Sequence, residues 1–151
     1  QPVNVHDLIQ AVVDSYKLQL EEKPSNIHMQ LDATKPEITA DEEHLLHVLS
    51  NLMDNAIKYS KEAIDILVST ANVNNKIIIT VEDNGIGMTN ETKKHIFEKF
   101  YRAHSGNIHN VKGFGLGMSY VKRIVALHKG QIRVQSELDH GTTIEITLPV
   151  V

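Results

Sequence analysis

The stretch VEDNGIGM, Val81 to Met88, follows the apolar run KIIIT and ends it with an acid and two glycines. A strand that only had to reverse could use Asn84-Gly85 alone, because that pair suits the positive φ values of a tight hairpin. The sequel TNETKKHIFEKF does not alternate; it offers Thr89 as an N-cap and Glu91 for a first helical turn. These features predict strand, loop, helix, with the plain hairpin as the alternative. In the loop, Gly85 and Gly87 permit backbone conformations closed to residues with a Cβ, and let another molecule come close. Asp83 falls at the strand's end, facing that approach. An ionised Asp only accepts hydrogen bonds, so a bound partner would present an N–H donor, such as the exocyclic amine of adenine.

Working outward, 151 residues with 41% hydrophobic content suffice for one domain with a real core. The balance of 15 Lys and Arg against 19 Asp and Glu gives a net charge of −4, which argues against nucleic-acid binding and against contact with an anionic membrane surface. No apolar run approaches the roughly 18 residues of a spanning helix. With no cysteines, disulfides and thiolate metal sites are excluded, and a reducing cytoplasm is compatible.

Val5, Leu8, Ile9, Val12, Val13 and Tyr16 recur at three- and four-residue steps, predicting a helix that ends before Pro24. NIHMQLD alternates as a half-buried strand does. From Asp41 to Tyr59 the pattern is helical again, with Leu45, Leu49, Leu52, Met53 and Ala56 in one stripe. Strands over 64–72 and 76–82 are joined through NVNN as a hairpin. A short helix near 90–97, a Gly-, Asn- and His-rich candidate mobile loop over 105–114, a helix near 115–128 and the strands GQIRVQSE and TTIEITLP follow. The blockwise alternation predicts an α+β domain, a mixed sheet with helices on one face.

On the second long helix Asn51, Asn55 and Lys58 fall in one narrow sector, read here as lying opposite the leucine stripe. A solvated face is the plain reading. Yet Asn is a poor helix former, and two at consecutive turns bring a local cost without an evident local return. Asn carbonyl oxygens suit Mg²⁺ and a nearby Lys suits phosphate, so the helix is a candidate metal-triphosphate site. KGFGLGM, Lys112 to Met118, leads three glycines into a helix whose first amides are free to bind anions, although a flexible hinge would look the same. It is neither the dinucleotide fingerprint, since Met118 replaces the third glycine, nor a Walker loop.

Taken together, these segments resemble the ATP-binding catalytic domain of two-component sensor histidine kinases, within the superfamily that includes DNA gyrase and heat-shock chaperone ATPases. HVLSNLMDNAIKYS looks like the asparagine box, DNGIGM and KGFGLGM like two glycine boxes, IFEKFYR like the phenylalanine box, and GTTIEITLP like the last box. The resemblance covers nearly the whole chain, with residues 1–4 expected as the remnant of a linker from a dimerisation domain. It implies a Bergerat-type ATP-binding fold: a two-layer α/β sandwich on a mixed, mostly antiparallel sheet.

The resemblance further implies that Asp83 accepts from the adenine amine, Asn55 binds Mg²⁺, and Asn51 supports the metal and phosphates. Lys58 would contact phosphate and Tyr59 would pack near the nucleotide. Gly85 and Gly87 would make room for the base, and Thr142 would close its pocket through water. Gly113, Gly115, Leu116 and Gly117 would border the triphosphate. Phe97 and Phe100 would anchor a lid, with Arg102, and less directly Lys112, contacting the γ-phosphate. ATP and Mg²⁺ are thus the implied cofactors, and Asn51, Lys58 and Arg102 the implied catalytic set.

Hydrolytic relatives carry a Glu as general base where this sequence has Asn51, and an amide cannot accept that proton. Phosphoryl transfer needs mainly positioning and charge neutralisation, which favours a kinase. None of the nine histidines sits in a phosphoacceptor-like context, and His44 with His47 lacks a third metal ligand. The expected partners are therefore the helical phosphoacceptor domain of a parent kinase, cytoplasmic or membrane-anchored, and indirectly a response regulator. The isolated domain is expected to be a monomer. The alternatives are a related protein-serine kinase or hydrolytic ATPase, disfavoured by Asn51, and a non-catalytic nucleotide-binding module, disfavoured by the intact Asn55, Asp83 and glycine set.

Overall fold

The computed structural model describes residues 1–21, 24–61, 63–98 and 117–150. Pro2–Asn4 (β1) leads into the helix Val5–Gln19 (α1), which starts where the Asn4 side chain accepts from the amides of His6 and Asp7. The buried residues of α1 are Val5, Leu8, Ile9, Val12, Val13 and Tyr16, the set its spacing predicts. Ser25–Leu31 (β2) and Glu37–Thr39 (β3) precede Glu42–Lys58 (α2), whose first turn is capped by the Asp41 carboxylate accepting from the His44 amide. Ile64–Val73 (β4) and Lys76–Asp83 (β5) form a hairpin turned by Asn74 and Asn75, both at positive φ, a conformation Asn tolerates better than most residues. Asn90–His95 (α3) begins at Thr89, whose Oγ1 accepts from the Thr92 amide. Gly117–Leu127 (α4), Gln131–Ser136 (β6) and Thr142–Pro149 (β7) complete the described chain.

The main sheet has the order β2-β4-β5-β7-β6, parallel at β2–β4 and antiparallel elsewhere, which is the mixed, mostly antiparallel sheet expected. Ile64, Ile66 and Val68, then Ile77, Ile79 and Val81, then Ile144, Ile146 and Leu148 are buried and alternate with more exposed neighbours. Period-two burial of this kind gives the sheet one apolar face. α1 packs on β2 and α2, α2 on β5 and α4, and α4 on β6, so the helices form the second layer.

Residues 1–4, expected as linker, are built into this domain. Pro2, Val3 and Asn4 pair antiparallel with Thr39, Ile38 and Glu37, and Val3 is buried. Three-residue strands have no period to read, so only the three-dimensional structure shows this ladder.

The register also places three polar side chains together. Asp83 pairs with Thr142, and Thr142 with Ser136, at the same end of β5, β7 and β6. Each lies two residues beyond an inward apolar residue: Val81, Ile144 and Val134 respectively. The alternation that buries the isoleucines therefore carries Asp83, Thr142 and Ser136 to the inner side of the sheet, and all three are buried.

Candidate functional site

Asp83 is 7% exposed, and both of its described side-chain hydrogen bonds land on Oδ1: from the Gly85 amide at 2.8 Å and from the Thr142 amide at 3.3 Å. Among the described residues no donor reaches Oδ2, which is left for another. Burial pushes the carboxyl up to about 6; the two amide hydrogen bonds oppose that shift and the Glu82 charge adds to it. A carboxylate held against its own desolvation at the end of a buried strand pair is a common mark of a functional site.

The glycine loop is fixed around it. The Tyr59 carbonyl accepts from the Ile86 amide at 2.8 Å, and the Ile86 carbonyl accepts from the Asp139 amide at 2.7 Å. A Cβ at Gly85 would come 2.1 Å from the Tyr59 carbonyl oxygen, and one at Gly87, where φ is +74°, would come 1.9 Å from the Glu137 carbonyl oxygen. The close approaches at these two glycines are thus made by the chain's own backbone. Gly141 is equally confined, with φ +83° and a virtual Cβ 2.0 Å from the Asp83 carbonyl oxygen.

Ser136 joins the pieces. Its Oγ accepts from the Met88 amide at 2.8 Å, donates to the Gly141 carbonyl at 2.8 Å and lies 2.8 Å from Thr142 Oγ1. Its backbone carbonyl accepts from Lys93 Nζ of α3 at 2.7 Å. Neither Ser136 nor Gly141 is given a role by the sequence reading. The available signal was the alternation Ile132, Val134, Ser136, which turns a strand-end serine inward where it must find partners.

The second wall is α2. Asn55 is buried, and its Nδ2 has no hydrogen-bond partner among the described residues. This corrects the reading of Asn51, Asn55 and Lys58 as opposite the leucine stripe. Asn55 lies about 20° around the helix from Val48, itself fully buried, so the sector flanks the core on the Val48 side. A buried amide without a partner costs about 1–3 kcal/mol, which a ligand can recover by supplying the missing group. Asn51 is half-buried, and a Cβ at Gly117 would lie 3.3 Å from its Oδ1, so the start of α4 abuts Asn51. Lys58 sits in the last turn of α2, and Tyr59 is the buried residue that caps it. The Tyr59 amide donates to the Asn55 carbonyl while its own carbonyl holds the glycine loop. One continuous wall therefore runs from Gly117 through Asn51 and Asn55 to Gly85, Asp83 and Thr142.

Phe97 is half-buried against the core with Lys122 Nζ 5.4 Å over its ring. Phe100, Arg102, Lys112, Gly113, Gly115, Leu116 and the 105–114 loop lie outside the described residues. Among the described residues no three His, Asp or Glu side chains gather to hold a metal. His44 lies 3.8 Å from the Asp41 carboxylate, and the His47 ring lies 6.3 Å from that of Tyr120. The amide oxygens of Asn51 and Asn55 are neutral ligands and the Lys58 ammonium suits phosphate, a set that fits a cation arriving with phosphate oxygens and keeping much of its water, as Mg²⁺ does.

Residues 40–151 match the family model described as histidine kinase-, DNA gyrase B-, and HSP90-like ATPase. The chain is 47% identical over 150 residues to the sensor protein RprX of Bacteroides fragilis, a match covering 98% of this chain and 29% of that one. It is 34% identical over 151 residues to the adaptive-response sensory kinase SasA of Synechocystis, covering 99% of this chain and 39% of that one. The structure of full-length ShkA in complex with AMPPNP is similar with a TM-score of 0.85 at 28% identity, over 99% of this chain and 30% of ShkA. The chain thus spans between 29% and 39% of the length of these proteins.

Proposed function

The chain belongs to the histidine kinase-, DNA gyrase B-, and HSP90-like ATPase family, and from that membership we propose that it binds Mg-ATP and delivers the γ-phosphate to a histidine on a helical phosphoacceptor domain outside this chain. A response regulator would receive the phosphate afterwards. The observation that carries the reading is one wall bearing a buried, acceptor-only carboxylate at Asp83 and a buried amide with an unmet donor at Asn55. Sensor kinases among the relatives, and ShkA with AMPPNP, support carrying an adenine nucleotide over to this wall.

At the base end, Asp83 Oδ2 accepts from the exocyclic amine while Oδ1 stays tied to Gly85 and Thr142. At the phosphate end, Asn55 would turn its amide oxygen to the phosphate-bound cation and its unmet Nδ2 donor to a phosphate oxygen or cation-bound water, and Asn51 and Lys58 would orient the phosphate oxygens. Mg²⁺, when bound, neutralises charge on the phosphates and holds them in line for transfer. Asn51 stands at the position from which a carboxylate would activate water, and its amide takes no proton at neutral pH. The site therefore orients phosphate without providing a base for hydrolysis, and an external imidazole, itself a nucleophile, needs none to begin the attack. Arg102 and Lys112 are assigned to the γ-phosphate and Gly113, Gly115, Leu116 and Gly117 to the triphosphate border on the family resemblance. A domain that draws on ATP is assigned to the cytoplasm, where ATP is supplied.

The test incubates the parent protein with Mg²⁺ and γ-labelled ATP beside its Asn55→Ala variant. Acid-labile, alkali-stable label that the variant lacks is the expected result. Acid-stable label, or phosphate release with none retained, would move the assignment to a serine kinase or a hydrolase.

A further inference from the structure

Ser136 has one hydroxyl hydrogen, and the Gly141 carbonyl, which can only accept, takes it at 2.8 Å. The Met88 amide, which can only donate, occupies one Ser136 lone pair, also at 2.8 Å. The remaining contact, 2.8 Å to Thr142 Oγ1, can then be satisfied in one sense only. Thr142 donates its hydroxyl hydrogen to Ser136, and its oxygen is left able only to accept. Thr142 stands beside Asp83, which it pairs with across the β5–β7 ladder and to whose Oδ1 its amide donates. Two adjacent groups, the Asp83 carboxylate and the Thr142 hydroxyl, thus both call for donors.

We propose that Ser136 is a positioning residue for base selectivity, which orients the Thr142 hydroxyl so that this end of the site accepts a purine carrying an exocyclic amine and rejects one carrying a carbonyl there. Ser136 does this without touching the base. The inference rests on the nucleotide reading above. A site whose acceptors are fixed rejects a ligand acceptor because the two lone pairs face each other with no hydrogen between them. Without Ser136, the Thr142 hydroxyl is free to rotate and donate, directly or through water, to such a carbonyl.

The experiment measures dissociation constants of Mg-ATP and Mg-inosine triphosphate, which differ at C6 and in the proton that the oxo base carries on N1, for this chain and for Ser136→Ala, Ser136→Thr and Thr142→Val, so that the change in preference between variants, rather than the preference of any one of them, reads the Ser136 contribution. The chain itself is expected to prefer ATP, Ser136→Ala to narrow the preference about tenfold, and Ser136→Thr, which keeps a hydroxyl, to restore most of it. Equal weakening of both nucleotides in Ser136→Ala would reduce Ser136 to a structural residue and overturn the proposal. If Ser136→Ala does not fold, Thr142→Val decides: a narrowed preference supports the fixed acceptor, and an unchanged one overturns it. Failure of the nucleotide reading looks different, because the unsubstituted chain would then bind neither nucleotide.

Discussion

The two ends of the wall, proposed above as a base end and a phosphate end, are built on different principles. At the base end the frame comes from strand register and backbone: Asp83, Thr142 and Ser136 are held by one another and by the loop amides, with Asp83 Oδ2 and the Thr142 hydroxyl oxygen left as fixed acceptors, and Gly85, Gly87 and Gly141 leave no room for a side chain. At the phosphate end the donors stand on one face of a helix, and the Asn55 amide waits without a partner among the described residues. The base end is preorganised by folding. The phosphate end is completed by what it binds. A rigid, discriminating pocket suits a base whose hydrogen-bond pattern must be read, whereas a charged tail and its cation can themselves supply the missing contacts.

The same substitution at two glycines should separate the ends most sharply. Gly87→Ala places a Cβ 1.9 Å from a backbone oxygen at φ +74°, and is expected to destabilise the fold by about 3 kcal/mol or more and to remove ATP binding. Among the described residues, Gly117→Ala meets the Asn51 side chain alone, at 3.3 Å, and gains helix propensity. Its stability should stay within about 1 kcal/mol of the parent. Urea denaturation of both variants measures this, and equal losses would erase the distinction.

Asn55→Ala tests the phosphate end directly. It removes a buried donor that has no partner among the described residues, so stability should hold or rise by up to about 1 kcal/mol, while affinity for Mg-ATP falls at least about a hundredfold. A variant that lost stability and affinity together would mean that Asn55 serves the core.

At the base end the corresponding tension is electrostatic. Asp83's carboxyl, pushed up to about 6 chiefly by burial, binds its proton more tightly in the folded chain than in the unfolded one, where it titrates near 3.8. Between those values the folded state alone holds the proton, so stability falls as pH rises through that window and is flat above it. Ionised Asp83 therefore costs the fold about 3 kcal/mol at neutral pH. Asp83→Asn keeps an oxygen for Gly85 and Thr142, and should be the more stable protein at pH 7.5, with the gap closing below pH 4. It should also lose the pH dependence expected of ATP binding in the unsubstituted chain, which should weaken as pH drops below about 6 and the carboxylate gains a proton. A parallel pH profile for the two proteins would show that another group controls binding.

What the sequence made legible follows this division. Regular periods announced α1, α2 and the hairpin β4–β5, because burial on one face leaves a repeating trace. Asp83 and the glycines stood out because they interrupt such a repeat. The β1–β3 ladder left no trace, being too short for a period. The sector opposite the stripe is the wrong face for Asn55 because that residue lies only about 100° from the stripe's centre, and α4 packs on the same side of α2, against Asn51 and His47. Ser136 was overlooked for a further reason: its importance lies in partners from Met88, Gly141 and Thr142, which come together only through the loop and the register.

The smallest expected effect lies away from both ends, where α2 and α4 are tied by His128. Its Nδ1 lies 2.8 Å from the Ile124 carbonyl, to which it must donate, and its Nε2 then accepts from the Asp41 amide at 3.2 Å, at the N-cap of the helix that carries Asn51 and Asn55. Replacing it by Leu removes both hydrogen bonds at a partly exposed site where water can take over the freed groups, so about 1 kcal/mol of stability should be lost. Nucleotide affinity should not change, because the phosphate wall is set by the packing of α2 on β5 and α4 rather than by this link. If His128→Leu weakened Mg-ATP binding while sparing the ATP preference over inosine triphosphate, the phosphate end would depend on the position of α2's first turn as well as on the residues one to three turns further along. The boundary between a prebuilt base pocket and a ligand-completed phosphate site would then have to be redrawn to include the α2–α4 contact.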